Sequence, residues 1–412
     1  MKKILVIGYV WPEPNSSAAG SHILSIMRLF KEQNWQVEFS TPAQPTEHMI
    51  DLAGEDISSK SIVLNCDSFE TYIADYRPDI VMFDRFMMEE QFAWRVEKVC
   101  PYAVKILDTE DLQCLRHARH QALKAERDMT QADLFSDLAK REIAAILRCD
   151  ISLIISSFEM QLLTETFKID SRLLHHLPFM IDLNKCPLKT KPFSERSHFM
   201  TIGNFRHAPN WDAVLTLQRL WPMIRKQLPD AQCHIYGSYP PPKASALNNP
   251  KTGFLIKGWA ENAFTVFESS RICLAPLRFG AGIKGKLLDA MIMQTPSITT
   301  TVGSEGMHQQ EPWPGAVTAS DEEFVSAAVD LYSNEQHWLT AQAHAATLLP
   351  SRYDRQLLGP ALITKIIQTE ENLARHRLHN FTGAMLKYHT MMSTKYMSQW
   401  IAEKNSKNTP SE

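Results

Sequence analysis

The strongest constraint on this chain is a rhythm. Short apolar runs, each about one strand long, alternate with stretches whose apolar residues recur every three or four positions. Lys3 to Val10 is nearly all apolar, and Trp35–Ser40, Ile62–Leu64, Asp79–Asp84, Ala103–Asp108 and Ile151–Ser156 follow as further strand candidates. Helical patterns, among them Phe86–Val99 and Asp133–Leu147, lie between most of them. Near-continuous apolarity marks strands covered on both faces, and strands separated by helices imply right-handed parallel crossovers. The predicted fold class is therefore α/β, with doubly wound parallel sheets that receive ligands at the carboxyl ends of their strands.

The rhythm repeats in the second half, with strand candidates His198–Phe205, Gln232–Gly237, Gly253–Trp259, Ile272–Leu277 and Gly315–Ala319 and a helix over Trp211–Gln227. A chain of 412 residues is long enough for two such units. Cys186–Ser197, rich in proline and charge and without periodicity, is the expected linker. The predicted division is a domain over 1–185, a linker over 186–197, a second domain over 198–365 and C-terminal helices over 366–412.

The net charge of −3 gives no general attraction to nucleic acid, so any basic site must be local. Seven scattered cysteines without a C-x-x-C pair read as small apolar residues of a reducing compartment rather than zinc ligands or a disulfide frame. The first apolar run contains Gly8 and ends in Trp11-Pro12-Glu13-Pro14, which reads as a first strand and not as a secretory leader. A cytoplasmic location is the expectation.

Within that frame, residues 271–306 stand out. The apolar run Ile272–Leu277 gives way to a loop with Arg278, Gly280 and Gly282, and then to the helical pattern Ile283, Leu287, Leu288, Ala290, Met291. Glycines let the turn adopt angles closed to other residues, and the free N–H groups of a helix start attract an anion. Arg278, Lys284 and Lys286 crowd positive charge at a helix start, where acidic side chains are the usual choice. A solvated basic turn is the plainer alternative.

This stretch resembles the donor-binding loop of the GT-B glycosyltransferases, in particular the retaining glycosyltransferase family 4. The matching residues are Pro276, Arg278, Gly280, Gly282, Lys284, Lys286, Asp289, Ala290, Met291 and Pro296, with Gly303, Glu305 and Gly306 after the next strand. The family's paired glutamates fall on Ala281 and Asp289, so the first of them is missing here. The resemblance implies two Rossmann-like domains facing a cleft, with C-terminal helices crossing back to the first domain. It implies a nucleotide-diphosphate sugar as donor and a glycan, lipid-linked glycan or other cell-surface acceptor, with retention of configuration. Donor-binding residues would be Arg206, Arg278, Gly280, Gly282, Lys284, Lys286, Asp289 and Glu305. No Asp-x-Asp pair lies beside a strand to hold a metal, so metal independence is expected, and no cofactor beyond the donor.

The first half offers partners for that chemistry. Asp108-Thr109-Glu110-Asp111-Leu112 follows a buried strand and resembles an acidic pattern found in part of the same group. Asp108 and Asp111, with Lys284, are the candidate catalytic residues, the carboxylates orienting the acceptor hydroxyl or accepting its proton. The competing reading makes them helix caps. Ser17, Gly20 and His22 open the first helix and are candidates to touch acceptor or diphosphate, although a lone histidine there is more often a helix-surface residue. Gly258 and Trp259 could border the nucleotide base, or Trp259 could be ordinary core.

Near the C-terminus an apolar stripe runs through Phe381, Met385, Tyr388, Met392, Tyr396 and Trp400, with Lys387, Lys395, Lys404 and Lys407 nearby. It fits either packing against the first domain or peripheral contact with the inner face of a membrane. Two rival functions stay open. A dehydrogenase would need G-x-G-x-x-G after the first strand, which Gly8-Tyr9-Val10 does not supply. A catalytically inactive GT-B-like binding or scaffold protein is kept open by Ala281.

Overall fold

The computed structural model describes residues 1–187 and 190–407, the side chains of 389–391 and 405–407 excepted. Positions 188–189 of the expected linker, residues 408–412 and the side chain of Lys407 therefore lie outside the described residues.

Two parallel sheets form. The first contains β1 (Lys3–Ile7), β2 (Gln36–Thr41), β3 (Ser58–Ser61), β4 (Ile80–Asp84), β5 (Val104–Asp108), β6 (Ile151–Ile154) and β7 (Leu174–His176), in the order β3-β2-β1-β4-β5-β6-β7. The second contains β8 (Ser197–Ile202), β9 (Cys233–Tyr236), β10 (Phe254–Gly258), β11 (Ser270–Ala275), β12 (Ser297–Thr300) and β13 (Gly315–Thr318), in the order β10-β9-β8-β11-β12-β13. Strand order reverses between β1 and β4 in one sheet and between β8 and β11 in the other, and such switch points open a crevice at the carboxyl ends. The central strands are apolar because helices cover both faces: Ile4, Val6, Met82 and Ile106 pack on one side of the first sheet, Leu5, Ile7, Phe83 and Leu107 on the other.

Three expectations shift. The edge strand is not Ile62–Leu64 but the preceding Ser58–Ser61, paired with β2 from Glu38↔Ser58; all four of its residues are exposed, and a short polar edge discourages pairing with other chains. The helix expected over Asp133–Leu147 is two, Gln131–Leu134 and Asp137–Arg148, because Ser136 caps the second by accepting from the Ala139 N–H at 3.3 Å. The short strand β7 carries no clear signal in the sequence.

The return to the first lobe comes earlier than residue 366. Ile181 pairs with Asp354, and Arg355 donates to the Ser25 hydroxyl at 2.8 Å and to Glu32 at 2.9 Å. Leu362, Ile363 and Ile366 of the helix Arg355–Glu371 then join the core that holds Ile4, Val6 and Phe30. The last helix, Phe381–Lys407, packs on helices Phe86–Val99 and Asp137–Arg148, but with the face opposite its aromatic stripe. Among the described residues no helix is long and apolar enough to cross a membrane.

Candidate active site

The two switch points face each other, and loops from both lobes meet there. After β11 the chain turns through Gly280 (φ 157°) and Gly282 (φ 63°). At Gly282 a side chain is excluded twice, by the positive φ and by the Asp111 Cβ, which a Cβ would meet at 2.8 Å. Its N–H donates to Glu159 of the first lobe at 2.8 Å. The helix Gly285–Ile292 starts directly opposite the helix Ala18–Glu32, so close that a Cβ on Gly285 would lie 2.4 Å from that of Ala18. Two helix N-termini thus point into one seam, and their partial positive charges favour an anion between them.

Both lysines of the turn border this seam. Lys284 is buried, its Nζ donating to the Gly282 carbonyl at 2.7 Å, and desolvation lowers its pKa to about 8 against the pull of Glu305 and Glu159. Lys286 is half-buried and desolvation likewise lowers it to about 8. His207, in the loop after β8, is exposed by area yet walled in by both lobes; desolvation and then the Arg116 charge lower its pKa to about 4.

The opposite wall is acidic and buried. Asp108 is 1% exposed, and burial followed by the Asp84 charge raises its pKa to about 7. One of its oxygens accepts from the Glu110 N–H at 3.2 Å, while the other has no hydrogen-bond partner. His22 lies 3.9 Å from that free oxygen, has neither ring nitrogen bonded, and is pushed down to about 4 by burial. Buried polar atoms are nearly always paired, so this group of orphans leaves hydrogen-bonding capacity unused beside the seam. Asp111 differs. Burial works to raise its pKa, but the ion pair with Arg116 outweighs it and keeps the carboxylate ionised. Arg85 (φ 71°) and Glu110 (φ 60°) hold positive backbone angles at the ends of β4 and β5, strain of the kind that concentrates at functional sites.

The family described as glycosyl transferases group 1 matches residues 196–334. Over that stretch the chain is similar to the group 1 glycosyltransferases. Solved structures with the same GT-B fold include a sucrose-phosphate synthase from Thermosynechococcus elongatus, 14% identical, with 89% of this chain and 99% of that one covered and a TM-score of 0.65. HepE from Anabaena, solved with UDP, is 10% identical over 89% of this chain and 100% of its own, with a TM-score of 0.65. The lipopolysaccharide outer core galactosyltransferase WaaB is 15% identical over 89% and 99%, with a TM-score of 0.57. Comparison with curated proteins finds no match.

Several expectations for the glycosyltransferase change on this geometry. The capping reading of the acidic segment fails. The helix Gln113–Lys124 has no side-chain cap at Leu112; the free N–H groups of Leu112, Gln113 and Cys114 are taken at 2.9–3.0 Å by Glu159 and Glu142, from elsewhere in the lobe. That arrangement leaves Asp108 and Asp111 to the seam. His22 is not a surface residue. Ser17 caps its helix, accepting from the Gly20 N–H at 3.1 Å, and Gly20 has no room for a side chain because a Cβ would lie 2.5 Å from the Glu13 backbone. Arg278 leans away from the lysines, its Nε donating to Asp212 at 2.9 Å on the exposed rim. Arg206 is also on the rim, over the Tyr239 ring at 3.6 Å. Trp259 is not core: it is 38% exposed and stacks on His48 of the other lobe at 4.1 Å. Asp289 is half-buried, and burial raises it to about 7.

Residues not foreseen complete the seam. Arg119 spans it, donating to both Glu305 oxygens at 2.8 Å and to the Gly280 carbonyl at 2.9 Å. Its place one turn after Arg116 was the available signal. Glu159, fully buried, holds the Leu112 and Gly282 N–H groups with one oxygen and leaves the other unpartnered; burial and then the Asp111 charge raise its pKa to about 8. In the structure Ser156 makes no capping bond, and Ser157 reaches the Gly306 carbonyl of the second lobe at 3.2 Å.

Proposed function

We propose that the enzyme moves a sugar from a nucleoside-diphosphate donor to a hydroxyl of a glycan or lipid-linked glycan, with retention and without a metal, at a membrane's inner face. The observation that carries this reading is the pairing of Lys284 and Lys286 at one helix start with a second helix start across the seam. Departure of the diphosphate builds negative charge on phosphate oxygens. A lysine about 4 Å from such an oxygen contributes ~4 kcal/mol at the effective dielectric of a protein site, and each helix start adds ~0.3 to 2 kcal/mol. Lys284 is preorganised for this role: its ammonium is held at the turn by one carbonyl and disfavoured by burial, so an incoming phosphate relieves the desolvation.

The two carboxylates take different parts because their surroundings differ. Asp111, kept ionised by Arg116, stabilises positive charge on the anomeric carbon. Asp108, titrating near neutrality beside neutral His22, orients the acceptor hydroxyl and takes its proton. Arg206, Tyr239 and Trp259 form a rim against which a base stacks, and Asp289 is assigned to the ribose hydroxyls from its place in the resembled motif. The UDP in the HepE structure supports a nucleoside-diphosphate donor, and the lipopolysaccharide outer core activity of WaaB supports a glycan acceptor. The missing glutamate at Ala281 leaves an inactive nucleotide-binding scaffold as the second reading; Ala281 packs into the first lobe's core, where a charged side chain would have no solvent.

Calorimetric titration with a panel of nucleoside diphosphates, followed by donor hydrolysis and transfer assays on the matching nucleotide sugars, tests the reading. Binding with turnover supports it, binding without turnover selects the scaffold, and absence of binding removes both.

A further inference from the structure

The helix Phe381–Lys407 is inside out. The residues it turns toward the first lobe are small or polar: Gly383, where a Cβ would lie 2.1 Å from the Leu147 carbonyl, and Ser398, whose hydroxyl takes a hydrogen bond from buried Arg95 at 3.2 Å. Lys387, on the same face, lies 3.9 Å from Glu97. The residues it turns outward are large and apolar: Phe381 is 77% exposed, Tyr388 72% and Trp400 60%, with Met385, Met392 and Tyr396 continuing the same stripe. A helix that served only to close the lobe would face the other way. Six exposed apolar side chains in one row form a contiguous patch of the kind that marks an interaction surface.

Charge indicates what covers it. Residues 373–407 hold six lysines and arginines against one glutamate, in a chain of net charge −3. Two of these cations flank the stripe, Lys395 at 5.7 Å from the Tyr396 ring centre and Lys404 at 5.3 Å from that of Trp400. Aromatic rings with lysines beside them are suited to the boundary between lipid headgroups and acyl chains. Beside the stripe a groove of about 500 Å³ runs between this helix and the first lobe, lined by Trp94, Lys395 and the pairs Arg377–Asp150 and Lys387–Glu97 among others. Among the described residues the indole N–H of Trp94, a residue 4% exposed, has no acceptor. Lys395 and the Trp94 N–H suit a phosphate headgroup at the mouth of this groove.

We infer that this helix seats the enzyme on an anionic phospholipid surface, its aromatic row inserted among the headgroups and its lysines against lipid phosphates. The inference rests on the reading of a membrane-side acceptor, but its test reads lipid binding and not transfer. Flotation of the full chain with phosphatidylcholine vesicles, with and without phosphatidylglycerol, at low and high salt, measures it. The expected result is co-flotation with the anionic vesicles, weakened by salt. The double variant Tyr396→Ser, Trp400→Ser should lose at least ~10-fold in partitioning, and Lys395→Glu with Lys404→Glu should lose binding with circular dichroism unchanged. Both pairs lie outside the seam, so transfer to a water-soluble acceptor fragment should stay at the parent level. A parent chain that does not float, or a serine variant that floats as the parent does, overturns the inference. So does a serine variant whose sole change is a smaller particle in sedimentation, which would assign the stripe to a second copy.

Discussion

The first lobe buries charge on two faces, and the faces differ in how that charge is satisfied. Away from the seam, Asp150 takes two hydrogen bonds of 2.8 Å from Arg377, Glu89 pairs with Arg148, and Lys105 pairs with Glu97. Each charge has its counter-charge from within the chain. At the seam, Asp108, Glu159 and His22 are buried with an oxygen or nitrogen left unbonded, while Asp84 has Arg85 3.7 Å away. Desolvation is expensive on both faces. On the proposed reading, a charge whose partner the fold supplies can serve the structure alone, and the orphaned groups of the seam take theirs from the substrate.

The largest test of that distinction is on the structural side. Arg377→Ala leaves Asp150, 2% exposed, without its arginine, and breaking such a pair costs ~3 to 5 kcal/mol. Arg377 also donates to the Ala103 carbonyl at 2.8 Å, so the helix junction loosens with it. Urea unfolding should show the loss, while activity per folded molecule stays near the parent value. A loss under ~1 kcal/mol would mean the pair does not anchor the helices.

At the seam the sign reverses. Lys284→Met should lower turnover ~100-fold or more, equivalent to ~2.7 kcal/mol of barrier, while the protein becomes more stable. Because the folded pKa of Lys284 is depressed to about 8, its protonated form is disfavoured in the folded state at neutral pH, and stability linked to it rises as pH climbs from about 8 toward the unfolded value. Replacing it with an apolar side chain removes that penalty. A variant that is both inactive and destabilised would place Lys284 among the structural charges.

These two classes were not equally legible in the sequence. Strand rhythm gave both sheets because central strands must be apolar, and Lys284 and Lys286 were visible because basic residues at a helix start break a local preference. Arg119 and Glu159 were hidden: each looks like an ordinary helix residue until the second lobe arrives 123 residues or more later in the chain to meet it. Arg278 misled in the opposite direction, since charge near a glycine turn says nothing about which way a long side chain leans. The inverted last helix was half legible, its stripe plain but its direction not, because Gly383 and Ser398 give no apolar signal for the face that packs.

A pH titration sharpens the comparison further. The folded pKa of Asp108 is raised to about 7, so the folded state holds a proton that the unfolded state releases, and stability falls as pH rises between the two values. Asp150 is lowered instead, Arg377 and Lys105 outweighing desolvation, and its contribution is lost as pH falls. Asp108→Asn should therefore flatten the decline in stability between about pH 4 and 7 by ~1 to 2 kcal/mol, with Glu110 taking over part of the proton uptake. Thermal unfolding across that range measures it. An unchanged slope would mean Asp108 is ionised throughout and needs another explanation for its unbonded oxygen.

The smallest effect is the most discriminating. Arg278 belongs by sequence to the same basic turn as Lys286, yet it already has a counter-charge in Asp212 and lies nearly half exposed, at 46% of its side chain. Exposed pairs contribute ~0 to 1 kcal/mol. An exposed cation that already has its counter-charge offers a diphosphate less than a buried one without, so Arg278→Ala should change donor affinity and turnover less than ~5-fold, the limit set by that range. Lys286, with no carboxylate bound, should fall in the class of Lys284. Measuring KM for the donor in both variants separates position in sequence from position in space: equal and large losses would mean that Arg278 leaves Asp212 when the diphosphate binds, and that pairing in the unliganded seam does not predict which charges the substrate recruits.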